Sequence, residues 1–449
     1  MCLVGCMPVR EQPELASIEA KQWQHSARPA STEPVDLRGW WKSFRDPQLD
    51  ALVDEALTGN AGLERALQRL QQVHTLTRHA GDAYRPQVSL STRSVQEVSA
   101  TDTYFQVSLD AIWELGFFGE REAAQTLARG DSQAAMATLQ AARVTVVSEV
   151  VRQYVELQTA GALIDTLQQL AELERQSNTL MQVRVDTRLG NLDELAQGRA
   201  RYAQAQAALS TPRETQARAE QALQALLGRE CPDPQWRLSK APGPLHIGAL
   251  QQVPSDLLQT RPDVQAAEAE VWQAAGQLGV ARAKLYPRIA IGTSYLYAYN
   301  LTQNQQERLN DLPMLGPLID VPLLDWGRRK AAADAQRHAL DAAVAGYRDV
   351  VRTAVAQTET ALAVLEQSRE RLHHLRDAQV TLRGRDERIQ TLTELGLASK
   401  WDGLGSQREA LNADLQATQA QLHRSLAFIA LYKSLGGAPL RDVSGQGES

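Results

Sequence analysis

The chain is written twice, and that duplication restricts its fold more than any other feature. Phe118-Gly119-Glu120-Arg121 answers to Trp326-Gly327-Arg328-Arg329, an offset of 327 − 119 = 208. Leu192-Asp193-Glu194-Leu195 answers to Trp401-Asp402-Gly403-Leu404 at 402 − 193 = 209, and Leu226-Leu227-Gly228 to Ser434-Leu435-Gly436 at 436 − 228 = 208. Upstream, Tyr84-Arg85-Pro86-Gln87-Val88 answers to Tyr286-Pro287-Arg288-Ile289. The landmarks keep their order, and the period is far longer than a solenoid unit. The chain is therefore a duplicated half-protein.

Both halves run through a helical approach, a strand-like patch, a long helical stretch, a glycine-containing turn and a return helix. From Gly119 to Arg188 there is no proline, and the only interior glycines are Gly130 and Gly161. Val146, Val150, Tyr154, Leu157, Gly161 and Ile164 recur with a helical period, and Tyr347, Val351, Val355, Thr358, Leu362 and Leu365 repeat the same steps. About 70 helical residues at 1.5 Å each reach about 105 Å. A helix of that length must pack along neighbours, as in a coiled coil or a tube of helices. Asp46-Pro47 is an N-cap followed by an N1 proline, and Leu189-Gly190-Asn191 and Leu395-Gly396-Leu397-Ala398-Ser399 are turns between helices.

Between Tyr104 and Leu115 the period changes to two. Phe105, Val107, Leu109, Ala111, Trp113 and Leu115 share one face, while Tyr104, Gln106, Ser108, Asp110, Ile112 and Glu114 share the other. The Ser/Thr/Val-rich stretch Pro86 to Glu97 supplies a hairpin partner. In the second half Ile289, Ile291, Thr293, Tyr295, Tyr297 and Tyr299 alternate, and Ile319, Val321 and Leu323 continue after a polar loop, Asn300 to Asp311. A soluble hairpin packed on helices would alternate in the same way. In a membrane, however, four strands per chain cannot close a barrel, whose smallest members have about eight. An open edge in lipid is forbidden, so the strands must be shared among copies; three copies supply twelve.

Composition excludes several classes. With 47 basic and 53 acidic residues, a net charge of −6 and 5% aromatics, no basic surface for nucleic acid is evident. No run of 18 or more apolar residues occurs, so no helix is expected to cross a bilayer. There is no HExxH, GxSxG, Walker loop or GxGxxG, and His373-His374 are adjacent rather than spaced as metal ligands, so neither enzyme nor cofactor is expected. Cys2, Cys6 and Cys231 form neither a disulfide framework nor a metal spacing. Leu3-Val4-Gly5-Cys6 instead resembles a lipobox, with Cys6 as the lipidated residue. The charged start and the apolar stretch of about 7–15 residues of a full signal are missing, so the true start is expected upstream.

These segments, with Trp40-Trp41-Lys42-Ser43-Phe44-Arg45-Asp46-Pro47, Leu257-Leu258-Gln259-Thr260-Arg261-Pro262-Asp263-Val264, Pro322-Leu323-Leu324-Asp325-Trp326-Gly327-Arg328 and Leu431-Tyr432-Lys433-Ser434-Leu435-Gly436-Gly437, carry a resemblance. The chain resembles the TolC-like outer-membrane factor family of Gram-negative efflux systems, in particular its lipoprotein branch of the NodT and OprM type. The resemblance implies a mainly α fold with a β-barrel part: a homotrimeric duct with a shared twelve-stranded transmembrane barrel and a long coiled α-helical barrel in the periplasm. It implies gated passive export of small molecules, with a periplasmic adaptor and an inner-membrane RND-type pump as partners, lipid on Cys6 and no nucleic acid. A duct for type I protein secretion is the alternative. The implied layout is a lipobox remnant at 1–6, a linker at 7–39 and a first repeat at 40–229 (strands about 86–115, helices about 119–229). A linker follows at 230–253, then a second repeat at 254–437 (strands about 287–325, helices about 328–435) and a tail at 438–449.

In this family an Asp-x-x-Asp pair after the second tip rings the aperture. Trp401-Asp402-Gly403-Leu404-Gly405 matches it with Asp402 in the first acidic position, while Gly405 replaces the second. Asp193 and Glu194 are the counterparts in the first half, and three-fold copies of such carboxylates would attract cations. Arg199 and Arg408 are candidates for holding a closed state by pairing with neighbouring helices; ordinary surface arginines are the alternative. The tips near Gly190, Asn191, Gly396 and Ser399 are the expected adaptor-docking points.

Overall fold

The computed structural model describes residues 37, 39–96, 103–237, 260–306 and 314–437. Cys6 and its lipobox, most of the 7–39 and 230–253 linkers and the 438–449 tail lie outside the described residues. The chain divides into two compact bodies, one containing residues 67–138 and 263–351, the other 139–262 and 352–449 with the stretch preceding residue 67.

The first body is built on a sheet. Strands β1 (Gln87–Gln96), β2 (Thr103–Glu114) and β3 (Arg288–Asn300) pair antiparallel in that order. The far flank of β3 takes two pieces: β4 (Gln305–Gln306) against Tyr299 and Asn300, and β5 (Met314–Asp320) against Arg288 to Ser294. The sheet is thus four strands wide, with its fourth strand interrupted. Register sorts the side chains by chemistry. Val88 lies opposite Ala111 and Leu90 opposite Leu109; Phe105, Val107 and Leu109 lie opposite Tyr299, Tyr297 and Tyr295; Trp113 lies opposite Ile291. This face is apolar and exposed, with Leu90 68% and Leu315 75% accessible. The opposite face carries a row of hydrogen bonds: Ser91 to Ser108 at 2.7 Å, Arg93 to Gln106 at 3.0 Å, and Ser294 donating to Asp110 at 2.6 Å. Apolar without and polar within is the arrangement of a barrel wall between lipid and water.

The expected continuation of the last strand to residue 325 does not occur. Strand β5 ends at Asp320, and Pro322, which has no N–H to donate, follows the exposed Val321. The expected polar loop from Asn300 to Asp311 contains the two-residue strand β4.

The remaining long elements are helices. In the first half these are α1 (Pro47–Gly59), α2 (Ala61–Arg78), α3 (Glu120–Asp186), α4 (Leu192–Ala208) and α5 (Ser210–Leu227); in the second, α6 (Pro262–Ala283), α7 (Arg328–Glu394) and α8 (Lys400–Ser434). Helices α3 and α7 have 67 residues each. Each begins after a glycine held at positive φ, Gly119 at 83° and Gly327 at 81°, a turn few other residues accept. One stretch of α3 is apolar enough by composition to cross a membrane, contrary to the expectation of none, but half of it is buried within the protein, as befits a packed helix. The return helix of the first half is broken into α4 and α5, where Pro212 removes a helical N–H; the equivalent position in α8, 208 residues on, is Ala420 and the helix continues.

Within the first body, α6 packs on α3 through glycines. A Cβ on Gly276 would lie 2.5 Å from the Leu127 nitrogen, one on Gly279 would lie 2.7 Å from the Ala123 Cβ, and one on Gly130 would lie 2.8 Å from the Gln273 nitrogen. The opposite side of α6 buries Val271, Ala274 and Leu278 against Leu340 and Ala343 of α7. In the second body Asp46 caps α1, accepting from the Gln48 nitrogen at 2.9 Å, and its other oxygen accepts from the Tyr154 hydroxyl at 2.6 Å. Trp40 stacks on Tyr432 near the end of α8, with ring centres 5.3 Å apart.

Gly276→Val is expected to force α6 off α3, an overpacking cost of about 1–3 kcal/mol. Thermal unfolding of the purified protein would register it as a lowered midpoint.

Candidate functional site at the helical tips

In the second body α3 and α4 meet at one turn and α7 and α8 at another. At the first, Arg188 adopts φ 60°, and Asn191 caps α4 by accepting from the Asp193 nitrogen at 3.0 Å. At the second, Gly396 takes φ 70° and Ser399 opens α8 with a reciprocal capping box. Ser399 Oγ accepts from the Asp402 nitrogen at 3.1 Å, while an Asp402 oxygen accepts from the Ser399 nitrogen at 3.2 Å and from its hydroxyl at 2.6 Å. These bonds, first from the Ser399 side chain and then from its backbone, hold the Asp402 carboxyl below the usual carboxylate range, so it is charged at neutral pH. Asp402 therefore carries a structural duty that sequence matching did not reveal.

Asp193 and Glu194 occupy the first turn of α4 and are exposed, and no hydrogen bond joins them to Asp402 among the described residues. Gly405 faces open space: nothing lies within 4 Å of an added Cβ. Leu404 turns inward and packs with Leu173 and Leu411. Trp401 lies under the Arg184 guanidinium, 5.7 Å from ring centre to cation, which ties the start of α8 to the end of α3.

The two arginines sit in different settings. Arg199 is exposed and donates to Gln182 at 3.1 Å. Arg408 reaches from α8 to Glu174 of α3, with Nε 2.5 Å from one carboxylate oxygen. Glu174 is only 2% exposed, and Arg201 of α4 approaches its other oxygen at 3.4 Å. One buried carboxylate thus clasps three helices, α3, α4 and α8. Sequence reading missed Glu174 because a glutamate in a charged helix reads as a solvated one. Between α7 and α8 runs a second polar ladder: Arg383 to Asp414 at 2.8 Å, Arg385 to Glu409, and Ser406 donating to Asp386 at 2.7 Å. The tips themselves expose leucines, with Leu189 at 74% and Leu397 at 73% accessible.

A sheet with one apolar face and two unclosed edges, joined to paired long helices, defines one subunit of a membrane duct that closes only by assembly. The chain belongs to the Outer membrane efflux protein family, whose model matches residues 52–229 and 253–437. It is 25% identical to Nodulation protein T of Rhizobium leguminosarum bv. viciae over 441 residues, covering 96% of this chain and 88% of the relative. It is 28% identical to the pyoverdine export outer membrane protein OpmQ of Pseudomonas aeruginosa, with 94% and 92% covered. Among solved structures, the outer-membrane channel OprN superposes with a TM-score of 0.82 at 25% identity, covering 95% of this chain and 98% of that one. The protein is an outer-membrane efflux channel subunit.

Two outcomes follow at the tip. Glu174→Gln should lower the unfolding free energy by about 2 kcal/mol, read from denaturant melts, less than the about 3–5 kcal/mol of a fully buried broken pair because Arg408 remains 24% exposed. Arg201→Gln, at a longer distance and with 37% exposure, should cost less. The capping box has a definite pH sign. Because the folded carboxyl lies below its ordinary value of 3.8, its contribution is complete above that value and is lost as pH falls through the lowered one. Amide exchange in the first turn of α8, corrected for intrinsic rate, should stay protected at neutral pH and open only in stronger acid. Ser399→Ala should open it already at neutral pH.

Proposed function

We propose that three copies of the chain form the outer-membrane duct of a tripartite efflux system. Each copy contributes its four-strand sheet to a twelve-stranded barrel, and the paired helices form the periplasmic tunnel. The observation that carries this reading is the sheet: its apolar face suits lipid, and its edges at β1 and at β4 and β5 demand partners of the same kind. Lipid on Cys6 anchors the mature chain, and an adaptor engages the tips at Gly190, Asn191, Gly396 and Ser399, where exposed Leu189, Leu192, Leu395 and Leu397 supply apolar contact area. An inner-membrane pump of the RND type supplies the energy, and the duct performs no chemistry of its own. A relative named for pyoverdine export supports small molecules rather than secreted proteins as cargo.

Gating follows from the clasp at the tip. Arg408 and Arg201 hold α8 and α4 to α3 through Glu174, and Arg184 holds Trp401. Adaptor binding that favours a splayed arrangement has to loosen these contacts, a shift between two packings. Asp402, charged at neutral pH, provides the cation-attracting ring at the aperture, with Asp193 and Glu194 beside it.

Single-channel recording in planar bilayers tests the ring. Asp402→Ala should reduce cation preference and alter conductance. Ser399→Ala, which loosens the cap and keeps the charge, should leave ion preference unchanged. Unaltered conductance and preference in Asp402→Ala removes Asp402 from the mechanism.

A further inference from the structure

The polar ladder between α7 and α8 changes character part-way along. Arg383 of α7 meets the Asp414 carboxylate of α8 at 2.8 Å. Seven residues back along α7 and seven on along α8, Arg376 donates to Gln421 Oε1, also at 2.8 Å. A neutral amide thus stands where the previous rung has a carboxylate. Three residues beyond Gln421, on the same face of α8, comes another cation, Arg424. The charges that act on Arg424 are those of Arg376 and of Arg369, seven residues before it on α7. The rung therefore gathers positive charge and offers none of the opposite sign.

Hydrogen bonding at the same rung points the same way. Gln421 Nε2 and Arg424 Nε are buried without a partner among the described residues, and both are donors. The amide orientation is fixed, because Oε1 accepts from Arg376 and Nε2 must be the other end. Nearby carboxylates are engaged elsewhere: Glu366 accepts from Arg369 at 2.5 Å, and Asp377 lies 3.6 Å from His373. Burial first, then Arg376 and Arg369, press the Arg424 pKa below the ordinary guanidinium value, with no carboxylate opposing them. Donors and like charges buried together are costly unless an acceptor joins them. A water molecule accepts from two donors, yet must then turn its own protons toward the arginines. An anion has only lone pairs to present, and it brings the missing charge.

We propose that Gln421, Arg424 and Arg376 form a binding site for a small oxyanion of the phosphate class, held between α7 and α8. Its oxygens accept from Gln421 Nε2, Arg424 Nε and the Arg376 guanidinium, and so replace the carboxylate that the ladder lacks there. Several oxygens around one centre suit donors arriving from two helices; chloride presents a single atom. Free phosphate and the phosphate group of a larger molecule make the same bonds. The site is contained in one chain and does not depend on the trimer. Bound there, the oxyanion ties α8 to α7 as Asp414 does one rung nearer the tip.

Calorimetric titration of the purified full-length protein with inorganic phosphate tests the site, at constant ionic strength and with chloride as the reference salt. One phosphate per chain should bind, and Arg424→Gln should weaken binding by about tenfold or more, as loss of a charge-assisted hydrogen bond requires. Gln421→Glu supplies the missing carboxylate from within the chain. In phosphate-free buffer it should raise the thermal midpoint, and added phosphate should then raise it no further, although it raises that of the unaltered protein. Competition by phenyl phosphate separates the two sources. Equal affinity means that the site admits a group carried on a larger molecule; exclusion means that it holds the free ion. The same phosphate response in Gln421→Glu, Arg424→Gln and the unaltered protein places the binding elsewhere and overturns the site. Absence of phosphate binding also overturns it, the result expected if a carboxylate of a neighbouring copy satisfies Arg424.

Discussion

Backbone hydrogen bonding at the edges of the sheet governs this protein. A strand in hydrocarbon has no water to satisfy its outward N–H and C=O groups, so β1 on one side and β5 on the other cannot end the sheet there. Four strands are also too few to curl into a closed wall. The chain consequently carries half of an interface on each edge, and its fold is completed only by copies of itself. The exposed apolar row through Leu90, Leu109 and Tyr295 belongs to the same logic: it is a surface prepared for lipid.

Closure of the sheet forces closure of the helices. Each long helix leaves the sheet through a glycine turn, Gly119 or Gly327, so the spacing of the strands sets the spacing of α3 and α7. Duplication then divides the labour. Contacts between the halves are made inside one chain, where Gly276 and Gly279 let α6 approach α3 closely. Among the described residues nothing covers the face of α7 at Ala331 and Ala335, while the matching face of α3 is covered by α6.

Much of this was legible in the sequence, for reasons that can be named. Absence of proline over Gly119 to Arg188 with helical spacing of apolar residues leaves few alternatives to one helix, and α3 runs from Glu120 to Asp186. Period-two alternation over Phe105 to Trp113 reflects a surface with different solvents on its two faces, and β2 has that pattern. What escaped was tertiary. The burial of Glu174 comes from α8 and α4 folding back over α3, at 408 and 201 in a chain where 174 looks solvated. The break at Pro212 was visible in principle, since a proline inside a helical run signals one, but the duplication suggested an uninterrupted return helix. The early end of β5 had the same kind of signal in Pro322.

Asp402 shows how a single residue can satisfy two demands at once. As the third residue of α8 it accepts from Ser399, and those bonds are strongest when it is charged. In the proposed ring it would also need its charge, which close approach of three like carboxylates would oppose. The hydrogen bonds of the cap oppose that tendency, since they lower the same pKa that mutual repulsion raises. Both bonds fall on one carboxylate oxygen, which leaves the other available to hydrated ions. Gly405, three residues on, adds no second charge to be held there. In the proposed ring the cap would thus serve the aperture as well as the helix, and the bond from the Ser399 backbone nitrogen opposes proton uptake even where the Ser399 hydroxyl is removed.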